Sequence, residues 1–191
     1  VWPHWLNGET GKVQPFSKYD DGGDLVESSF MLQGLLCVRE YFAKGNAKEK
    51  QLARKIDTLW REAEFNWYTN NTNALYWHWS PNHGWKMNFA VRGYNECLIM
   101  YVLAAASPTY AVSDSVYHKG WANSGAINQQ PAGYKNIQLQ LHHQGNATQS
   151  GPLFWAHYSY LGLNPFGLKD AYANYENETV NHAKIHYQWC V

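Results

Sequence analysis

Charge is scarce in this 191-residue chain. Only 16% of its residues are Asp, Glu, Lys or Arg, and the two signs balance at 15 each. A chain with no net positive charge lacks the surface that meets phosphates, so no nucleic-acid partner is expected. Cysteine is scarce too, at three residues. Cys37 and Cys97 lie inside apolar runs and read as small buried hydrophobes, while Cys190 sits beside the end. No CxxC or paired spacing suggests zinc or a disulfide framework, and we expect neither a metal nor a cofactor. No apolar run is long enough to span a bilayer as a helix. Hydrophobic residues are nonetheless 45% of the chain. That excludes disorder and supports a single domain over residues 1–191.

Aromatic residues are what the chain has in excess, with ten Trp and fourteen Tyr. Many are flanked by Asn, Gln, His and Gly rather than by aliphatics. Flat rings beside amides suit a sugar, whose C–H face packs on the ring while its hydroxyls meet polar groups. Trp60 and Phe30 read as core.

The densest acidic stretch is Asp20-Asp21-Gly22-Gly23-Asp24-Leu25-Val26-Glu27, which runs into the apolar segment Phe30–Leu36. Asp24 and Glu27 have the spacing of a capping box, and acids in a first turn suit the helix dipole. The same acids can also stand at the rim of a pocket. For Asp24 both readings can hold. Asp20 and Asp21 exceed what a cap requires. The paired glycines are expected to let the backbone turn into the helix.

Periodicity predicts helices over about 24–42, 47–67, 94–106, 113–121, 153–161 and 169–189, with a strand or hairpin arm at Ile137–Leu141. Three of them, around Phe30–Leu36, Cys97–Ala106 and Leu153–Leu161, are apolar on most sides and read as interior. The 47–67 segment has one apolar stripe (Leu52, Ile56, Leu59, Trp60, Ala63) and reads as outer, as does the last helix. Residues 68–92 form a long loop rich in Trp and His, and most of 109–150 reads as loop. Alternating inner and outer helices fit an all-α, (α/α)6 toroid. Three inner helices make about half to two-thirds of such a ring. We therefore expect an apolar edge covered by further chain or by a second copy. The first residue is Val1 rather than Met, and no leader is visible.

Five blocks carry a resemblance: Asp20–Glu27, Tyr76-Trp77-His78-Trp79-Ser80-Pro81, Arg92-Gly93-Tyr94-Asn95-Glu96, Ala106-Ser107-Pro108-Thr109, and Phe154-Trp155-Ala156-His157-Tyr158-Ser159-Tyr160-Leu161-Gly162-Leu163. Through them the sequence resembles the glucoamylase-like family of bacterial α/α-toroid proteins, which includes endo-β-1,2-glucanases. The resemblance covers nearly the whole chain. It implies the (α/α)6 fold, a periplasmic or cell-surface location, and hydrolysis of β-glucosidic bonds, β-1,2-glucan first among them, in endo and inverting mode. It also implies that Asp24, Glu27 and Glu96 line the cleft, and that a further cleft acid lies in family sequence beyond residue 191.

Glycoside hydrolysis needs one protonated carboxyl and one carboxylate. Glu96 is the candidate acid, because the apolar helix that follows would desolvate it and raise its pKa. Asp24 or Glu27 would activate water or hold hydroxyls, with Asp20 beside them. Trp77, Trp79, Trp121 and Trp155 are candidate stacking platforms, and His78, Arg92, Tyr94 and His157 candidate hydrogen-bonding partners for an oligo- or polysaccharide. Two other readings stand beside this one. A polysaccharide lyase would need cations against a uronate, and only Arg92 lies outside a predicted helix among the arginines. A non-catalytic glycan-binding protein would share the aromatics. A metal site among His78, His83, His142, His143 and His157 has no standard ligand spacing.

Overall fold

A computed structural model describes residues 1–130, 132–143 and 150–191. The chain opens with a short antiparallel pair, β1 (Trp5–Leu6) and β2 (Val13–Gln14). Its turn is closed by Asn7, whose side chain accepts from the amides of Glu9 and Thr10. β3 (Gly23–Asp24) then leads directly into α1 (Leu25–Phe42). Asp24 caps that helix, its Oδ1 accepting from the Glu27 amide at 3.0 Å.

Asn46 and Glu49 form a complete capping box at the start of α2 (Ala47–Arg61). The helix stops six residues before its expected end. Ala63, Phe65 and Tyr68 are all buried, and straight continuation of the helix would not bring all three to the core. The chain instead breaks into turns and a 3-10 turn at Trp67–Thr69. Ile56 and Trp60 bury as expected, whereas Leu52 is exposed.

The long aromatic segment contains β4 (His78–Trp79), which pairs antiparallel with β3 in the register Gly23 to Trp79 and Asp24 to His78. This ribbon was not visible in the sequence, because two-residue strands have no periodicity to read. It also corrects the role of the glycines. A Cβ on Gly22 would lie 2.3 Å from the Trp79 carbonyl oxygen, and one on Gly23 would lie 2.3 Å from the Tyr68 hydroxyl. They are needed for close approach between segments rather than for a tight turn.

α3 (Leu98–Ala106) is the centre of the core, with Leu98, Ile99, Met100, Tyr101, Leu103 and Ala104 buried. It starts four residues later than expected. The Asn95 side chain accepts from the Cys97 amide at 2.9 Å and holds residues 95–97 in a turn ahead of the helix. Glu96 therefore precedes the helix instead of lying in its first turn. α4 (Asp114–Val116) runs into a π-type turn at Tyr117–Trp121, matching the expected short helix. β5 (Ala132–Tyr134) and β6 (Ile137–Leu139) form the expected hairpin. The loop reading at 131 and 144–149 falls outside the described residues.

α5 (Leu153–His157) continues as a 3-10 turn over Tyr158–Leu161, and α6 (Tyr175–Cys190) closes the chain behind an Asn174 cap. α5 was expected to be interior and is not. Phe154 and Tyr158 are exposed, and Leu161 is 77% exposed. The buried residues of α1 all lie in its first half, where Met31 is nonetheless exposed; Val38 and Tyr41 are open on the second half, and Cys37 is exposed rather than buried. Phe30 meets Tyr158 edge to face at 5.6 Å, so the two apolar faces join. Among the described residues nothing covers this edge. No helix among the described residues is long and apolar enough to cross a membrane.

Candidate active site

Three separate stretches meet at the ends of α1, β4 and α3. Asp24 is fully buried there and does two things at once. Its Oδ1 caps α1, and its Oδ2 accepts from the Trp77 indole at 2.6 Å and lies 2.7 Å from His4 Nδ1. Burial pushes its pKa up to about 6; the Glu27 amide, Trp77 and His4 act in the opposite direction because they bond the ionised form. His4 is fixed in turn by stacking on Phe16 at 4.2 Å.

Asp20 is 1% exposed and faces His4 Nδ1 at 3.6 Å and His78 Nε2 at 3.3 Å. His78 Nε2 accepts from the Gly22 amide, and burial lowers the His78 pKa against the opposing charges of Asp20 and Asp21, which favours the neutral ring. Asp21 stands apart. It accepts from Ser80 Oγ and Asn82 Nδ2, and these bonds hold its carboxyl below the usual range. Asp21 therefore pins the turn after β4.

In front of this group opens a cavity of about 370 Å³, lined by His4, Glu27, Trp77, Phe89, Asn95, Glu96 and Trp155, with Val26, Val91 and Cys97 behind them. Glu27 comes from the first turn of α1 and is exposed; Glu96 comes from the turn before α3 and is half-buried. Glu96 Oε2 is buried with no hydrogen-bond partner among the described residues. Burial is the largest cause raising the Glu96 pKa, and the charge of Glu27 adds to it. The Glu96 carbonyl and the Ile99 amide are both tied to Ser159 Oγ, at 2.7 and 3.0 Å, which locks the turn that carries the acid. Two carboxyls from different segments, one desolvated and one open to water, can act as proton donor and ionised partner across one bond.

Several expected site residues lie elsewhere. Trp121 is wholly buried and packs on Tyr94 and Tyr101. Tyr94 is itself buried, stacked on His143 at 4.7 Å. Arg92 donates to the Lys119 carbonyl and does not line the cavity. His157 packs toward His182 behind the cavity. Trp79 does not line the cavity and contacts Trp67. Asp20, Asp24 and His78 are buried behind the lining rather than in it. The residues missed by sequence reading are His4, Phe89 and Asn95. His4 lies in the Trp-rich opening segment, which reads only as loop, and its partner is twenty positions away.

His4, Asp20 and Asp24 are close enough to share an ion, all ligand atoms lying within 4.8 Å of one another. Asp24 is engaged by hydrogen bonds at both oxygens, whereas both Asp20 oxygens are buried without a hydrogen-bond partner among the described residues. The five histidines considered from the sequence form no such group among the described residues.

Comparison with known proteins decides the family. The sequence model of the Glycoamylase family, described as "Putative glucoamylase", matches residues 88–191. The chain belongs to this family. It is 61% identical to an endo-β-1,2-glucanase from Chitinophaga pinensis solved with sophorotriose and glucose, with a TM-score of 0.96 over 100% of this chain and 46% of that one. A β-1,2-glucanase from Parabacteroides distasonis is 38% identical at a TM-score of 0.88, over 99% of this chain and 29% of that one. An exo β-1,2-glucooligosaccharide sophorohydrolase (non-reducing end) from the same organism is 40% identical over 98% of this chain and 28% of its own length. The chain thus spans less than half the length of these relatives.

Proposed function

We propose that this chain forms part of a glycoside hydrolase that cleaves β-1,2-glucosidic bonds of a glucan, with Glu96 as general acid and Glu27 as its ionised partner. The observation that carries the reading is the meeting of these two carboxyls, from α1 and from the turn before α3, over one aromatic-lined cavity. Identity of 61% to an endo-β-1,2-glucanase supports this substrate class and favours an endo mode.

Glu96, desolvated and raised in pKa, keeps the proton that the leaving oxygen needs. Glu27, open to solvent, activates water in a single displacement that inverts the anomeric carbon. Asp24 serves from behind, holding His4 and Trp77 against the sugar face. Trp77 and Trp155 supply ring surfaces for pyranose C–H groups. The lining contains neither Lys nor Arg among the described residues, which disfavours a lyase acting on uronates.

The open edge along α1 and α5 supports a family toroid in which further helices cover Met31, Tyr158 and Leu161, and a place outside the cytoplasm or at the cell surface suits a polymeric substrate. Product analysis against a panel of β-glucans tests the reading. Sophoro-oligosaccharides from β-1,2-glucan are expected. Retention of the polymer without new reducing ends would replace the enzyme by a binding protein, and activity on a uronate polymer alone would favour the lyase.

A further inference from the structure

A second aromatic cleft lies away from the reaction cavity and shares no lining residue with it. Its volume is about 300 Å³, and Glu64, Asn66, Trp67, Asn70, Asn71, Trp85 and Tyr110 line it. Trp67 is 52% exposed and stands as a fin on the turn that follows α2. Its ring lies 6.1 Å from Trp85 at an interplanar angle of 39°, so the two indoles make a shallow trough. Trp85 is braced edge to face by Tyr68 at 5.7 Å and Tyr76 at 5.8 Å, which makes the floor rigid before any ligand arrives.

The polar wall is equally fixed. Asn70 and Asn71 both sit in the left-handed region, at φ 47° and 57°. Consecutive non-glycine residues there are uncommon, and such backbone tends to persist at ligand clamps. The turn is held by Thr69 Oγ1 on the Asn66 carbonyl at 2.8 Å and by the Thr72 amide on the Thr69 carbonyl at 2.8 Å. The side-chain amides of Asn66, Asn70 and Asn71 make no hydrogen bond to described residues beyond the turn. Rigid indole faces beside amides of both donor and acceptor character and the Glu64 carboxylate, with no cation in the lining, match an uncharged pyranose and mismatch a phosphate or a uronate.

From this we infer that the Trp67–Trp85 cleft is a secondary binding site for the glucan chain, which keeps the polymer on the protein between cuts. The identity of the sugar rests on the glucanase reading above. Trp77 lines the reaction cavity, and Trp79, two residues on, packs against Trp67 at 6.1 Å, so one short segment supports a wall of each site. The inference requires a long chain to engage both sites; a short oligosaccharide needs only the reaction cavity.

The test compares polymer and oligomer. Retardation in gels containing β-1,2-glucan is measured in a Glu96→Gln background, with and without Trp67→Ala or Asn66→Ala, and cleavage of a short β-1,2-gluco-oligosaccharide is measured with Glu96 intact. Loss of one stacking face should weaken polymer retention about three- to tenfold and leave oligosaccharide turnover at the parental rate. Unchanged retention in both variants overturns the inference while the glucanase reading stands. A parallel fall in oligosaccharide turnover also overturns it, because Trp67 would then support the reaction cavity. Parental protein that neither cuts nor retains β-1,2-glucan removes both readings together.

Discussion

The Trp77 indole donates to Asp24 Oδ2 at 2.6 Å, so a ring that lines the reaction cavity holds a carboxylate that does not. The bond favours the ionised form of Asp24, against burial that pushes its pKa up to about 6. Removing the donor with Trp77→Phe should raise that pKa further. The acid limb of the pH profile of kcat/KM is expected to move to higher pH in this variant, by up to about one unit for one lost hydrogen bond of ordinary strength. An unmoved limb would mean that Asp24 does not titrate in the reaction.

In the proposed mechanism Glu96 governs the other limb. Its pKa is raised by burial and by Glu27, and an acid catalyst must be protonated. Activity is therefore expected to fall on the alkaline side, above the ordinary carboxyl range. In Glu27→Gln the like charge is gone, so whatever slow turnover remains should lose its alkaline side at lower pH. Steady-state pH profiles of both proteins check this.

The core carries its own polar requirement. Tyr101 donates to the Val91 carbonyl at 2.6 Å and accepts from the Leu75 amide at 3.0 Å. Tyr101→Phe would leave both groups buried without their partner, at a cost of roughly 1–3 kcal/mol. By contrast, Leu161→Gln at the open edge should change stability by less than about 0.5 kcal/mol, whereas Leu98→Ala in α3 should cost about 2–5 kcal/mol. Urea denaturation of the three variants separates these cases.

Behind the reaction cavity, His143 and His182 are fully buried, with ring centroids 4.9 Å apart, and His157 and His186 stand beside His182. Burial lowers the His143 pKa to about 4 and the His182 pKa to about 3. An unfolded histidine titrates near 6.5, so below that pH the unfolded chain binds protons that the folded one refuses. Stability from these groups is complete above about pH 6.5 and is lost as pH falls toward the folded values. Glu178, raised by burial to about 7, acts in the opposite sense between pH 4.5 and 7. Asp24, raised by burial to about 6, and Glu96, also raised, act with Glu178, so the acids oppose the histidines over this range and the share of His182 is read by difference. As pH falls from 6.5 to 4, the parent should lose stability relative to His182→Gln. Equal slopes in parent and variant would contradict the assignment.

Much of this was legible in the sequence because it depends on local pattern. Asp24 as a helix cap, the apolar run of α3 and the Ile137–Leu139 hairpin arm follow from spacing alone. What failed depends on contacts between distant segments. Trp121 and Tyr94 have the same composition around them as Trp77, and only packing decides that they are core. Arg92 looked available until Lys119 came to meet it. His4 acquires its place from Asp24, twenty residues on. The apolar face of α5 predicted burial, and among the described residues that face stays open.

The central claim is tested most directly by the products formed from β-1,2-glucan, with the parental protein and Glu96→Gln side by side. Chromatography of the digest should show sophoro-oligosaccharides with the parent, and the variant should cut at least about a hundredfold more slowly, because Gln keeps the shape of Glu but has no proton to give. The variant should keep the parental circular dichroism spectrum. Near-parental product formation by Glu96→Gln would contradict the account.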